Sequence, residues 1–247
     1  MAQIKKQPGR NHGVRHALTL EQQRAFINYI ENNPTYYRWT SLFKFLLGTG
    51  CRIGEAIGIR WEDVNFEKRI ISINHSLVYY SREFKEHPMC TFSISLPKTE
   101  AGIRFIPMMD AVYDALRAEL ADQQENGFNE TEIDGMKGFI FMNRFGYVHN
   151  PQSINRAIKR IYESYNAEEV VNASKQHREP VLIPHFSCHH LRHTFCSRFC
   201  ENETNLKVIQ SIMGHANIET TMDIYAEVTD AKKQEAIENL AHKLDVF

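Results

Sequence analysis

A chain of 247 residues with 43% hydrophobic and 24% charged side chains and a formal net charge of −1 has the make-up of a soluble globular domain. No apolar run approaches the roughly 20 residues a membrane helix needs, and the basic first residues lack the apolar stretch of a secretion signal. Five cysteines without framework spacing exclude a disulfide-stapled scaffold, so the expected location is a reducing cytoplasm with no membrane contact.

Charge is unevenly placed. Residues 1–20 hold four basic and no acidic side chains, whereas residues 201–247 hold nine acidic and four basic ones. Different tasks are expected of the two ends. Thr19-Leu20-Glu21-Gln22 then reads as a capping box that starts a helix with Ala25, Phe26, Tyr29 and Ile30 at helical spacing. A second helix is predicted over about 36–47, burying Trp39, Leu42, Phe43, Leu46 and Leu47. Gly48-Thr49-Gly50 breaks it, and a short helix follows from Arg52.

The period next changes. Ile70–Ile73, Thr91–Pro97 and Ile103–Pro107 read as three short strands, with residues 98–102 as the hairpin turn joining the last two. A polar, irregular insert is expected at 81–88. Helical patterns return at about 110–125, 151–165, 188–200, 205–213, 217–226 and 231–244, while 166–184 reads as a loop or ragged helix end. The fold class is mainly α (α+β): a helical domain with one small three-stranded antiparallel sheet.

SCHHLRHTFCSRFC, residues 187–200, packs three histidines, three cysteines and two arginines together. On a helix His189, His193, Cys196 and Cys200 share a face, which suggests metal, with Leu191, Phe195 and Phe199 on another. Distance argues against it. Eleven residues separate His189 from Cys200, about 16 Å along the axis, so one ion takes at most two neighbours from the row. Arg192 would also repel a cation, and the expected metal set is empty. His189 and Arg192, three apart, can instead face one anion, and Arg52 supplies a second guanidinium that forks onto phosphate oxygens. His190 reads as a surface residue, and Cys196 and Cys200 as small core fillers.

Five elements then fall in order: Arg52; Lys98; His189-His190-Leu191-Arg192-His193; Met213-Gly214-His215; and Tyr225. With the stretches GTGCRIGEAIGIRWEDV, LPKTEAGIRFIP, CHHLRHTF, IMGHANIETT and DIYA, this order resembles the catalytic signature of the tyrosine recombinases, the phage-integrase family. The ten residues from His215 to Tyr225 look closest to integrases of conjugative transposons and prophages.

The resemblance implies a site-specific DNA recombinase in which Tyr225 attacks a phosphodiester to give a 3′-phosphotyrosyl bond. Arg52 and Arg192 would stabilise the phosphorane, Lys98 would protonate the leaving 5′-oxygen, His189 would act as base and His215 would hydrogen-bond the phosphate. Glu55 and His193 are supporting residues. Neither metal nor nucleotide cofactor is expected. Partners are double-stranded DNA with specific recombination sites, a homotetramer on DNA (a monomer without it), and accessory DNA-bending or excision factors. Candidate DNA contacts are Lys5, Lys6, Arg10, Arg15, Arg104, Arg156 and Lys159. Residues 1–16 are read as a basic interdomain linker or leader, 17–229 as the catalytic domain, and 230–247 as a terminal helix that packs on a neighbouring protomer. Core-binding and arm-binding domains are absent from this reading. Its rivals are a type IB topoisomerase-like nicking-closing enzyme and a non-catalytic DNA-binding or zinc-stabilised module.

Overall fold

The computed structural model describes residues 17–83, 88–97 and 102–228. Helix α1 (Leu20–Asn32) starts as its composition dictates. The Thr19 hydroxyl accepts the Gln22 N–H at 3.1 Å, and the Gln22 side-chain oxygen accepts the Thr19 N–H at 3.0 Å. One 3-10 turn, Tyr37–Trp39, leads into α2 (Thr40–Thr49), and all five stripe residues from Trp39 to Leu47 are buried. Gly48 stays helical; the stop is Gly50, in the left-handed region at φ 61°. Arg52 then caps the short α3 (Ile53–Gly58).

The sheet differs from expectation. Strands β1 (Val64–Asn65), β2 (Ile70–Ile73) and β5 (Arg104–Pro107) form an antiparallel sheet in the order β1-β2-β5. Strand β4 (Pro88–Ser95) does not join β5; it pairs in register with β3 (Ser76–Glu83) as a separate two-stranded arm, Ser76 opposite Ser95. Both ends of the expected polar insert are therefore ladder, at 81–83 and at 88. Cross-strand packing of Tyr79 on Phe92, with ring centroids 4.9 Å apart, supports the pairing. The mainly helical class with small antiparallel sheets holds.

Four helices follow: α4 (Asp110–Asn126), α5 (Pro151–Lys175), α6 (Cys188–Asn202) and α7 (Leu206–Met213). The described part of α8 covers residues 219–228. Helix α5 runs ten residues past the expected end, through a stretch whose only buried apolar side chain is Ala173. Polar ties hold it there: Asn166 exchanges two 2.8 Å hydrogen bonds with Ile183, and Glu169 accepts a guanidinium fork from Arg178.

A main core gathers α1, α2, the sheet, α4, α5 and the start of α6. A second, smaller cluster holds Cys196, Cys200, Ile209 and Met213, with Phe195, Phe199 and Tyr225 against it. Helix α6 belongs to both. It also pins the entering chain: Leu18 gives its N–H to Thr194 at 3.0 Å and accepts from Arg198 at 2.8 Å. Among the described residues no helix is long and apolar enough to cross a membrane. The expected leader at 1–16, Lys98 within its turn, and the helix at 231–244 lie outside the described residues.

Candidate active site

The C-terminal end of α7 organises the site. A helix leaves its last carbonyls unpaired and carries partial negative charge there. Three successive carbonyls each take a different arginine. Ile212 accepts Arg104 Nε at 2.8 Å, Met213 accepts Arg192 Nη2 at 2.7 Å, and Gly214 accepts Arg52 Nη2 at 2.9 Å. Gly214 turns the chain out of the helix at φ 63° and delivers His215 beside these groups.

Arg192 reaches across from α6. Its other terminal nitrogen donates to the Gly50 carbonyl at 2.6 Å, tying the α2 stop to the α7 stop. Burial, followed by the neighbouring charge of Arg52, lowers its pKa to about 10, so it remains a cation at neutral pH. Arg52 is the exposed partner, with 45% of its side chain accessible. Glu55 neutralises both flanks: it accepts the Arg52 N–H at 2.8 Å and Arg52 Nη1 at 2.9 Å, and takes a fork from Arg104 at 3.1 and 2.8 Å. Burial alone would raise the Glu55 carboxyl, but Arg104 and then Arg52 hold it below the ordinary carboxylate value.

His215 is buried, and its Nδ1 lies 2.9 Å from the Thr221 hydroxyl. Burial, then Arg192, Arg52 and Arg104, push its pKa down to about 4, so the imidazole is neutral at pH 7. Thr221 opens the first turn of α8 and Tyr225 lies four residues on, over the same face of that helix. Tyr225 packs half-buried on the second cluster. His193, on the α6 side, stands 3.7 Å from Glu227 and 3.3 Å from the Ser197 hydroxyl, so it joins α6 to the tyrosine helix. His189 is exposed on the first turn of α6, one turn before Arg192.

Arg52, Glu55, Arg192 and His215 are thus brought together, and α8 carries Tyr225 from the His215–Thr221 bond. Two expectations are corrected. Arg104, read as a DNA contact, has 3% of its side chain exposed and is committed to Glu55 and Ile212. His190, read as a surface residue, is half-buried and its Nδ1 accepts the Ser187 N–H at 3.2 Å, closing the α6 cap. The mixed His/Cys face also divides: Cys196 and Cys200 sit in the apolar cluster, away from exposed His189. Thr221 was missed. The doublet Thr220-Thr221 one turn before Tyr225 was its only signal. Arg156 and Lys159 lie apart from the arginine cluster, in a cleft of about 840 Å³ lined also by Arg38, Arg144, Arg160, Phe145 and Tyr147.

A mainly helical fold that draws three arginines to one helix end, beside a tyrosine-bearing helix, places the chain among the tyrosine recombinases. It belongs to the phage integrase family, which matches residues 16–232. The transposase from transposon Tn916 of Enterococcus faecalis is 34% identical over 212 residues, 86% of this chain and 48% of that protein. A prophage ps2 probable integrase of Lactococcus lactis is 30% identical over 232 residues, covering 91% of this chain and 54% of that one. Among solved structures, the Tn1549 transposon integrase in complex with transposon right end DNA superposes with a TM-score of 0.74 at 31% identity, over 94% of this chain and 68% of that one. The chain spans about half the length of the curated relatives it matches.

Proposed function

We propose that this chain is the catalytic part of a mobile-element integrase that cuts and rejoins double-stranded DNA at specific sites. The observation that carries the reading is the convergence of Arg52, Arg192 and His215 on the end of α7, one bonded residue from the helix of Tyr225. The likeness to the Tn916 transposase and the Tn1549 integrase supports the mobile-element class.

In this reading the Tyr225 oxygen attacks phosphorus, the P–O5′ bond breaks, and a 3′-phosphotyrosyl ester forms. The phenol must give up its proton as it attacks, and the base that takes it is assigned by the family resemblance to His189. The departing 5′-oxygen takes a proton from Lys98, assigned the same way from LPKTEAGIRFIP. Arg52 and Arg192 neutralise the equatorial oxygens of the phosphorane. In this reading His215 takes the tautomer with its proton on Nε2, Nδ1 accepting from the Thr221 hydroxyl, and the neutral Nε2–H donates to a phosphate oxygen without adding charge. The ester stores the bond energy, and attack by a 5′-hydroxyl reverses the step. Glu55 and His193 support the two halves of the site.

DNA is proposed to follow the basic cleft of Arg38, Arg144, Arg156, Lys159 and Arg160, whose guanidinium and ammonium groups suit phosphates. A homotetramer on DNA, linked in part through residues 230–247, is the proposed assembly, with the cytoplasm as its place.

A nicked suicide duplex carrying the element's end tests the reading. The expected result is a covalent protein–DNA adduct, absent in Tyr225→Phe, strongly reduced in Arg192→Ala and unaffected by chelator. An adduct that survives Tyr225→Phe would name another nucleophile. Relaxation of supercoiled plasmid without strand exchange would return the nicking-closing alternative.

A further inference from the structure

We propose that Arg104 is a positioning residue for strand cleavage: by clamping Glu55 to the Ile212 carbonyl, it fixes the turn on which Arg52, Arg192 and His215 meet. The proposal rests on the reading of the site given above.

Arg104 cannot touch DNA through a side chain that is 3% exposed. It shares Glu55 with Arg52 and, like Arg52 and Arg192, holds a carbonyl at the end of α7. Glu55 Oε1 accepts both Arg52 Nη1 at 2.9 Å and Arg104 Nη1 at 3.1 Å. Arg104 Nε takes Ile212, the carbonyl immediately before those held by Arg192 and Arg52. The backbone of the turn lies directly against it: a Cβ placed on Gly214 would meet Arg104 Nη1 at 2.9 Å and Cζ at 3.0 Å. A shift of Arg104 therefore moves the residue before His215 and the carboxylate that orients Arg52. Lysine cannot replace it, since one ammonium cannot fork onto both Glu55 oxygens while also reaching Ile212.

Arg104 also contributes charge. His215 faces Arg192 from α6, Arg52 from the start of α3, Arg104 from β5, the carboxylate of Glu55 on α3 and the hydroxyl of Thr221 on α8. Without the Arg104 cation, Glu55 is left half-compensated and the imidazole holds a proton more readily.

The test separates geometry, charge and DNA contact. In Arg104→Lys, which keeps the charge and loses the fork, adduct formation slows by about 10–100-fold, the scale of a sub-ångström to 1 Å misplacement. DNA affinity and its salt slope stay as in the wild type, and the His215 ring titrates by NMR at the wild-type midpoint. In Arg104→Gln adduct formation slows similarly and the His215 midpoint moves upward. If Arg104→Gln fails to fold, Glu55→Gln/Arg104→Gln removes both charges together; folded double variant should still cleave slowly. Wild-type cleavage by any folded Arg104 variant overturns the proposal. So does a lost phosphate contact, read as weaker DNA binding with a salt slope reduced by about 1. Should the wild type itself give no Tyr225 adduct, the functional reading fails, and the His215 midpoint in Arg104→Gln still reads the charge that Arg104 places beside the turn: an unmoved midpoint overturns that part of the proposal.

Discussion

Arg192 does two jobs with one guanidinium. It bridges the Gly50 and Met213 carbonyls, which are buried ends of two helices, and it is assigned to the phosphate. Replacing it with lysine separates the jobs. A single ammonium on a flexible stem cannot satisfy both carbonyls and also fork onto phosphate. Adduct formation by Arg192→Lys should fall by about 10²–10³-fold, the scale for losing one preorganised donor to a transition-state oxyanion. Thermal unfolding should show a smaller loss, about 1–3 kcal/mol for an orphaned buried carbonyl. A Lys variant with wild-type cleavage would remove Arg192 from the phosphate. Part of the candidate set was legible from local spacing, His189 and Arg192 being one turn apart and Gly214-His215 marking a helix end, while Lys98 and Tyr225 came from the ordered motifs of the family resemblance. Arg104 was not. A buried arginine and a DNA-facing one look alike until the partner is known, and Glu55 lies 49 positions earlier.

Between elements, the critical joint is Gly50. Its backbone adopts φ 61°, and a Cβ there would lie 2.3 Å from Phe195 Cδ1 on α6. Gly50→Ala therefore combines a left-handed penalty with a clash against the helix that carries Arg192. Destabilisation of about 2–4 kcal/mol is expected from strain plus overpacking, read as a lowered urea midpoint with unchanged slope. Cleavage should fall even where the variant remains folded, since the Gly50 carbonyl anchors Arg192. Full activity would show that this joint does not set the site. At this scale the sequence was uneven as a guide. Helices with an apolar stripe, such as α2, were readable from their period. The last ten residues of α5 were not, because Asn166 and Glu169 hold them by polar bonds to Ile183 and Arg178. Strand pairing was missed for a different reason: residues 91–95 carry no local mark that distinguishes β3 from β5 as a partner, and the choice is made by cross-strand packing such as Tyr79 on Phe92.

In the whole molecule, the site lies where the two apolar clusters meet, with α6 contributing Cys188 and Leu191 to one and Cys196 and Cys200 to the other. Acid should part the structure through its buried imidazoles. His215 stands among three arginines, and His149 is buried with its ring centroid 4.8 Å from that of Trp39; burial first, in both cases, pushes their pKa down to about 4. An unfolded chain protonates histidine near 6.5, above the folded value, so between pH 6.5 and 4 the unfolded state binds more protons. Stability therefore rises with pH across that window and is lost as pH falls through it, by on the order of 3 kcal/mol per imidazole at pH 4. Below that, protonation of Glu55 removes the ion pairs with Arg52 and Arg104 as well. Urea unfolding followed from pH 7 to 4.5 should give a falling free energy, and His149→Phe should remove about half of that slope. A flat profile would mean that both rings are already solvated in the native state. Loss of cleavage ahead of unfolding that persists in His149→Phe would assign the earlier event to His215 at the arginine cluster, since His149 lines the basic cleft.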